Sequence, residues 1–131
     1  WMNVKEIGNR GERLAAQYLE RQGFRILERQ YRTRTGEIDL IARQGAVLVF
    51  VEVKTRHPSG YGRGAQSVDR KKQERIARTA LIYAQKMGTL HSSMRFDVIE
   101  IHLAGETDRD SVSISHYENA FEMQQMSSMF V

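Results

Sequence analysis

The stretch GEIDLIARQGAVLVFVEVKTR, residues 36–56, sets Asp39, Glu52 and Lys54 inside a run of otherwise aliphatic and aromatic side chains. Two carboxylates and an ammonium are costly to bury unless each is paired. As a set they have a chemistry. Two carboxylates offer hard oxygen ligands to a divalent cation such as Mg²⁺ or Mn²⁺, and the Val53 backbone carbonyl adds another oxygen. A lysine beside them can stabilise charge on a phosphate and assist the water that attacks it. Spacing alone leaves a second reading open with equal weight: a solvent-facing cross-strand ion-pair cluster on a half-exposed sheet.

Both readings need a hairpin. Counted outward from a two-residue turn at Gly45 and Ala46, of the type II′ that a leading glycine favours, Gln44 pairs with Val47, Asp39 with Glu52 and Glu37 with Lys54. A turn at Gln44 and Gly45 instead makes Asp39 and Glu52 diagonal neighbours, still on one face. The first face carries Ile38, Leu40, Ala42, Val47, Val49, Val51 and Val53. The second is apolar near the turn, with Ile41, Leu48 and Phe50, and charged at its far end, with Glu37, Asp39, Glu52 and Lys54.

The flanking segments supply the rest of a fold. Ile7, Leu14, Ala15, Tyr18 and Leu19 fall at helical spacing, which predicts a helix over 3–22 stopped by Gly23. Residues 24–32 read as a strand with Phe24, Ile26 and Leu27 inward, and 57–66, holding the only proline and three glycines, as a loop. Ser67 is the expected cap of a second helix ending near Gly88, with Asp69 in its first turn and Val68, Ile76, Ala80, Tyr83, Ala84 and Met87 as its apolar stripe. Residues 94–103 and 111–117 read as two more strands. The order helix, three strands, helix, two strands predicts an α/β fold: a central mixed β-sheet flanked by helices, its parallel step made by the strand–helix–strand crossover. One domain is expected over 2–121, followed at 122–131 by a tail or docking segment with three methionines.

Composition narrows the partners. A net charge of +4 and a pI near 9.6 favour a polyanion. Arg70, Lys71, Lys72, Arg75 and Arg78 crowd the first half of the second helix, with Lys71, Arg75 and Arg78 on one face. Together with Arg34, Arg56 and Arg63 they form a rim suited to nucleic-acid phosphates, which holds a backbone without reading bases. The absence of cysteine excludes disulfides, thiolate zinc sites and a cysteine nucleophile. No apolar stretch approaches the roughly 20 residues of a membrane span, and no signal-peptide pattern opens the chain, so a cytoplasmic protein is expected. GYGRG lacks the spacing of a phosphate-binding loop, the four histidines show no paired metal spacing, and there is no G-x-S-x-G elbow.

GEIDLIA followed by VFVEVKTR resembles the D-x(n)-E-x-K signature of the PD-(D/E)XK nuclease superfamily, with Ile38 in place of the proline. GNRGERLAAQYL, GEIDLIA, FVEVKTR, DRKKQERI and RFDVIEI, in that order across residues 8–121, resemble the YraN family, small bacterial endonuclease-like proteins similar to archaeal Holliday-junction resolvases. The resemblance implies a restriction-endonuclease-like fold, Asp39 and Glu52 as metal-binding carboxylates, and Lys54 as the catalytic lysine. It also implies that Glu12 in the first helix stands beside the metal, although a glutamate among Arg10, Arg13 and Arg21 reads equally as a solvated charge. The expected activity is Mg²⁺-dependent DNA cleavage, selective for branched or junction DNA. Paired cuts favour a homodimer, with the methionine-rich tail as the candidate interface. The alternative is a non-catalytic nucleic-acid-binding or assembly module retaining the nuclease fold, and a third possibility is RNA as the substrate.

Overall fold

A computed structural model of the chain describes residues 3–60, 68–105 and 111–121. Helix α1 spans Val4–Arg21, capped by the Asn3 side chain, which accepts the Glu6 amide hydrogen at 2.8 Å. The strands β1 (Arg25–Thr33), β2 (Gly36–Gln44) and β3 (Val47–Arg56) follow, then α2 (Arg70–Lys86), β4 (Ser93–Leu103) and β5 (Val112–Phe121). All five strands form one sheet in the order β1-β2-β3-β4-β5. Every neighbouring pair is antiparallel except β3–β4, which α2 connects as a parallel crossover. Among the described residues the fold is thus α/β with a five-stranded mixed sheet and two helices, consistent with a restriction-endonuclease-like architecture.

The helices cover opposite faces of the sheet. Under α1 lie Leu40, Ala42, Val49, Val51, Ile99 and Ile101; under α2 lie Ile41, Leu48, Phe50, Phe96 and Phe121. Alternation along β2 and β3 sorts these residues, because successive side chains leave a strand on opposite sides. Phe50 stacks on Phe96 at 5.5 Å, and Phe96 on Phe121 at 4.8 Å.

Several details differ from the expectations. The turn is at Gly45 and Ala46, since Gln44 pairs with Val47, and Gly45 has φ +57° as a type II′ turn requires. Asp69, rather than a residue of the first turn, is the N-cap of α2: its carboxylate accepts the Lys72 amide hydrogen at 2.8 Å. Ser67, Arg63 and the tail at 122–131 lie outside the described residues. Strand β5 runs to Phe121, four residues past the expected 117, because Phe121 finds a seat against Phe96. Ile26 and Leu27 enter opposite core clusters, flanking an irregularity between Ile26 and Glu28. Ile38 packs under α2 instead of sharing a face with Leu40. The β2–β3 ladder stops at Leu40 and Val51, so beyond that point β2 no longer follows the pleat of its partner.

A buried polar cluster ties β4 and β5 to α1. Asp97, with 0% exposure, accepts two hydrogen bonds from Arg95 (2.9 Å each) and one from the Asn119 amide, and pairs with His116 Nε2 at 2.8 Å. His116 Nδ1 meets the Tyr18 hydroxyl of α1 at 3.0 Å. Burial alone would raise the Asp97 pKa. Its hydrogen bonds to His116, Arg95 and the Asn119 amide reverse that and hold it below the usual carboxylate value. In addition, buried Arg10 of α1 donates to the Gly105 carbonyl past β4.

Candidate functional site

The end of the β2–β3 ladder is where the odd charges sit. Continuing the register would set Asp39 opposite Glu52, yet the paired strand positions end one residue short of them. The Val53 amide hydrogen is donated to the Asp39 side chain, Val53 N to Asp39 Oδ2 at 2.8 Å. A carboxylate therefore does the work of a strand carbonyl and is fixed in the gap between β2 and β3. Burial pushes the Asp39 carboxyl well above its ordinary value, and the neighbouring Glu52 charge pushes it further, against the Val53 amide. Glu12 adds to the rise and Lys72 opposes it. Four ionisable side chains from α1, β2, β3 and α2 thus feel one another at this point.

Glu52 is only 7% exposed. Its compensating cation is Lys72, whose Nζ forms an ion pair with Glu52 Oε1. Burial would lower the Lys72 pKa, but the hydrogen bond and charge of Glu52, with Asp39 and Asp69, overcome it and raise the pKa instead. Lys54, two residues beyond Glu52 on the same strand, shows the opposite balance: burial and the nearby Lys72 charge lower its pKa despite Glu52. Two lysines with oppositely tuned ammonium groups therefore flank one buried carboxylate.

Glu12 approaches from α1 because Gly11 permits it. A Cβ at position 11 would lie 1.8 Å from Thr55 Oγ1, so only glycine lets the helix touch β3 this closely. The Glu12 carboxylate accepts a hydrogen bond from Gln30 Nε2 at 2.8 Å. Gln30 holds φ +49°, a left-handed conformation unusual for a residue with a side chain. The β1–β2 ladder passes from the Arg29–Leu40 pair to the Tyr31–Ile38 pair across this residue and Asp39. The sheet is distorted on both sides of Asp39.

The carboxylate pair fits a hard divalent cation. The Glu52 charge raises the Asp39 pKa, and a positive group, Lys72, already occupies one Glu52 oxygen. Among the described residues, no three His, Asp or Glu side chains converge as a metal cage, so Glu12 stands within electrostatic reach of Asp39 without completing a triad. The residues suited to hold an ion are Asp39 and Glu52, with the backbone carbonyl of Val53, the residue after Glu52 in β3, as a further oxygen.

The expected phosphate rim divides. Lys72 turns inward to Glu52, whereas Lys71 and Arg75 are exposed on α2. Arg34 is exposed in the β1–β2 turn, and that turn packs on α2 beside Arg75: a Cβ on Gly36 would lie 3.4 Å from Arg75 Cβ, and Thr35 and Thr79 hydroxyls meet at 2.7 Å. Arg56 lies 3.9 Å from Glu100, on the other side of Lys54. Arg63 lies outside the described residues. Sequence reasoning missed Gln30 and the inward turn of Lys72. A charge three residues into a basic helix carries no local mark of its partner.

Residues 11–101 match the Uncharacterised protein family UPF0102. The chain belongs to that family. It is 47% identical over 119 residues to a UPF0102 protein of Geobacter sulfurreducens, covering 91% of each chain. To a UPF0102 protein of Geobacter metallireducens it is 45% identical over 122 residues, 93% of this chain and 97% of the relative. A Vibrio campbellii UPF0102 protein shares 46% identity over 103 residues, 77% and 84% of the two chains. The UPF0102 match begins at Gly11 and takes in the Asp39–Lys54 segment and all of α2. Among the described residues of this UPF0102 chain, no helix is long and apolar enough to cross a membrane.

Proposed function

We propose that the protein is a metal-dependent DNA endonuclease of the PD-(D/E)XK type, selective for branched or junction DNA. What supports the reading is the Asp39–Glu52 pair at the break in the sheet, with Lys54 following on the same strand. Asp39, Glu52 and the Val53 carbonyl would hold Mg²⁺ or Mn²⁺, with Glu12 behind them. Bound there, the ion would supply Lewis acidity to the scissile phosphate. Lys54 Nζ, whose pKa burial and the Lys72 charge lower, stabilises negative charge developing on that phosphate and orients the attacking water. Asp39 stays in register because the Val53 amide holds it, and Glu12 because Gln30 does. Lys71, Arg75 and Arg34 contact the backbone on either side, which positions DNA without selecting its sequence.

One observation favours a second reading. The Lys72–Glu52 ion pair satisfies the buried Glu52 carboxylate from within the chain, as a non-catalytic nucleic-acid-binding module would require. Titrating Mg²⁺ and Mn²⁺ onto wild type and Asp39→Asn/Glu52→Gln by calorimetry separates the two. Saturable binding lost in the double variant, with cleavage of branched DNA lost in Lys54→Ala, supports the nuclease. Absence of metal binding at millimolar concentration, with DNA present, leaves the module.

A further inference from the structure

Beside the candidate site, on the α2 face of the sheet, lies a cleft of about 720 Å³ that the nuclease reading does not use. That volume is in the range of small-molecule sites, roughly 300–1,000 Å³. Its apolar lining is made by Val68, Val98, Ala120 and Phe121. Tyr117, directly across the β4–β5 ladder from Val98, stands at the wall with 51% exposure, a large ring left in water. Lys54 and Arg56 enter from β3, and Glu100 from β4. The cleft and the carboxylate pair therefore share a strand, and Lys54 belongs to both.

An apolar floor, an exposed aromatic face and a polar edge are what a flat heterocycle needs, and a cationic entrance is what its phosphate needs. The polar edge is richer in acceptors than donors. Gln73 donates one amide hydrogen to the Val68 carbonyl at 2.8 Å and keeps its oxygen as an acceptor, and Glu100, whose Oε1 faces His102 Nε2 at 2.9 Å, adds its second carboxylate oxygen. Glu52 and Lys54 are next neighbours on one face of β3, about 6.6 Å apart along the strand, a reach comparable to one nucleotide of extended chain. A phosphate at Lys54 would bring its own base, or the adjacent one, over the cleft once that base leaves the stack.

We propose that this cleft receives a single unstacked, amino-bearing nucleobase of the DNA strand held at the Asp39–Glu52 site, stacked on Tyr117 with its exocyclic amine toward Glu100 and Gln73. The inference rests on the nuclease reading and deepens it: branched and bulged DNA would be chosen because it presents an unpaired base at little unstacking cost. A fully paired duplex keeps its bases stacked and leaves the cleft unfilled.

The test is equilibrium binding of the full chain to fluorescein-labelled oligodeoxynucleotide duplexes, in EDTA and again in Ca²⁺. Three duplexes are compared: fully paired, with one bulged adenosine, and with an abasic residue at the bulge. Wild type is expected to bind the adenosine bulge about tenfold or more tightly than the abasic bulge, the size of one base–aromatic stack. Tyr117→Ala should erase that ratio while leaving affinity for the paired duplex unchanged, and Tyr117→Phe should retain it. The exposure of Tyr117 makes the folded state tolerant of both changes, which thermal melting verifies. Equal affinity for adenosine and abasic bulges, with duplex binding and metal binding intact, would overturn the cleft assignment alone. No DNA binding under either condition would overturn it together with the nuclease reading.

Discussion

Lys72→Gln isolates the electrostatics of the site. In the wild type, Lys72 is the cation facing buried Glu52, and its charge also tempers Asp39. Removing one partner of a fully buried pair costs about 3–5 kcal/mol, because the remaining charge is left uncompensated. Lys72, however, keeps 45% of its side chain in solvent, and exposed pairs contribute only about 0–1 kcal/mol. An intermediate loss of about 1–2 kcal/mol follows at neutral pH without metal. At this chain length each kcal/mol shifts Tm by roughly 4 °C, so melting followed by circular dichroism in EDTA should show a drop of about 4–8 °C. Two further signs are fixed. The variant's deficit shrinks on acidification: the folded-state pKa of Asp39 is raised, so the fold takes up a proton there before the unfolded chain does and gains stability as pH falls through that raised value toward the ordinary 3.8. Moreover, the variant frees a Glu52 oxygen, so Mn²⁺ should raise its Tm at least as much as it raises that of wild type. A metal-free Tm within 1 °C of wild type, or a smaller Mn²⁺ response, would refute the assignment of Lys72 as the resident counter-ion.

Gly11→Ala should destabilise the fold by about 2–3 kcal/mol in urea titrations, since its Cβ would fall 1.8 Å from Thr55 Oγ1 and 2.9 Å from Thr55 Cβ. Adding Thr55→Ala should recover part of that loss, and full additivity of the two would show that they do not touch. Asp97→Asn breaks the contacts to Arg95 and His116 at zero exposure and should cost about 3–5 kcal/mol. Because the folded pKa of Asp97 is depressed, its contribution is complete above the ordinary value of 3.8 and fades as pH falls through the depressed one, so wild type and variant should converge in strong acid.

Element order and the hairpin register were legible in the sequence because they depend on local periodicity. Apolar residues at helical spacing gave α1 and α2, period-two alternation gave the strands, and Gly45 marked the turn that pairs Gln44 with Val47 and carries the register as far as Leu40 and Val51. The capping of α2 by Asp69 and the full length of β5 were read less accurately, because each depends on contacts made by neighbouring residues after folding.

The charges at 39, 52 and 54 are properties of the chain, and their shared position on one hairpin follows from counting alone. What those charges do to one another is not. The break in the ladder, the Val53 amide that fixes Asp39, and the left-handed Gln30 that holds Glu12 exist only where three strands and a helix meet. So does the inward turn of Lys72, twenty residues from the glutamate it neutralises. Local pattern determines which residues can face a site. Burial and the fields of distant charges depend on what the fold stacks against them, and those were decided by the packing of α1 and α2 on the two faces of the sheet.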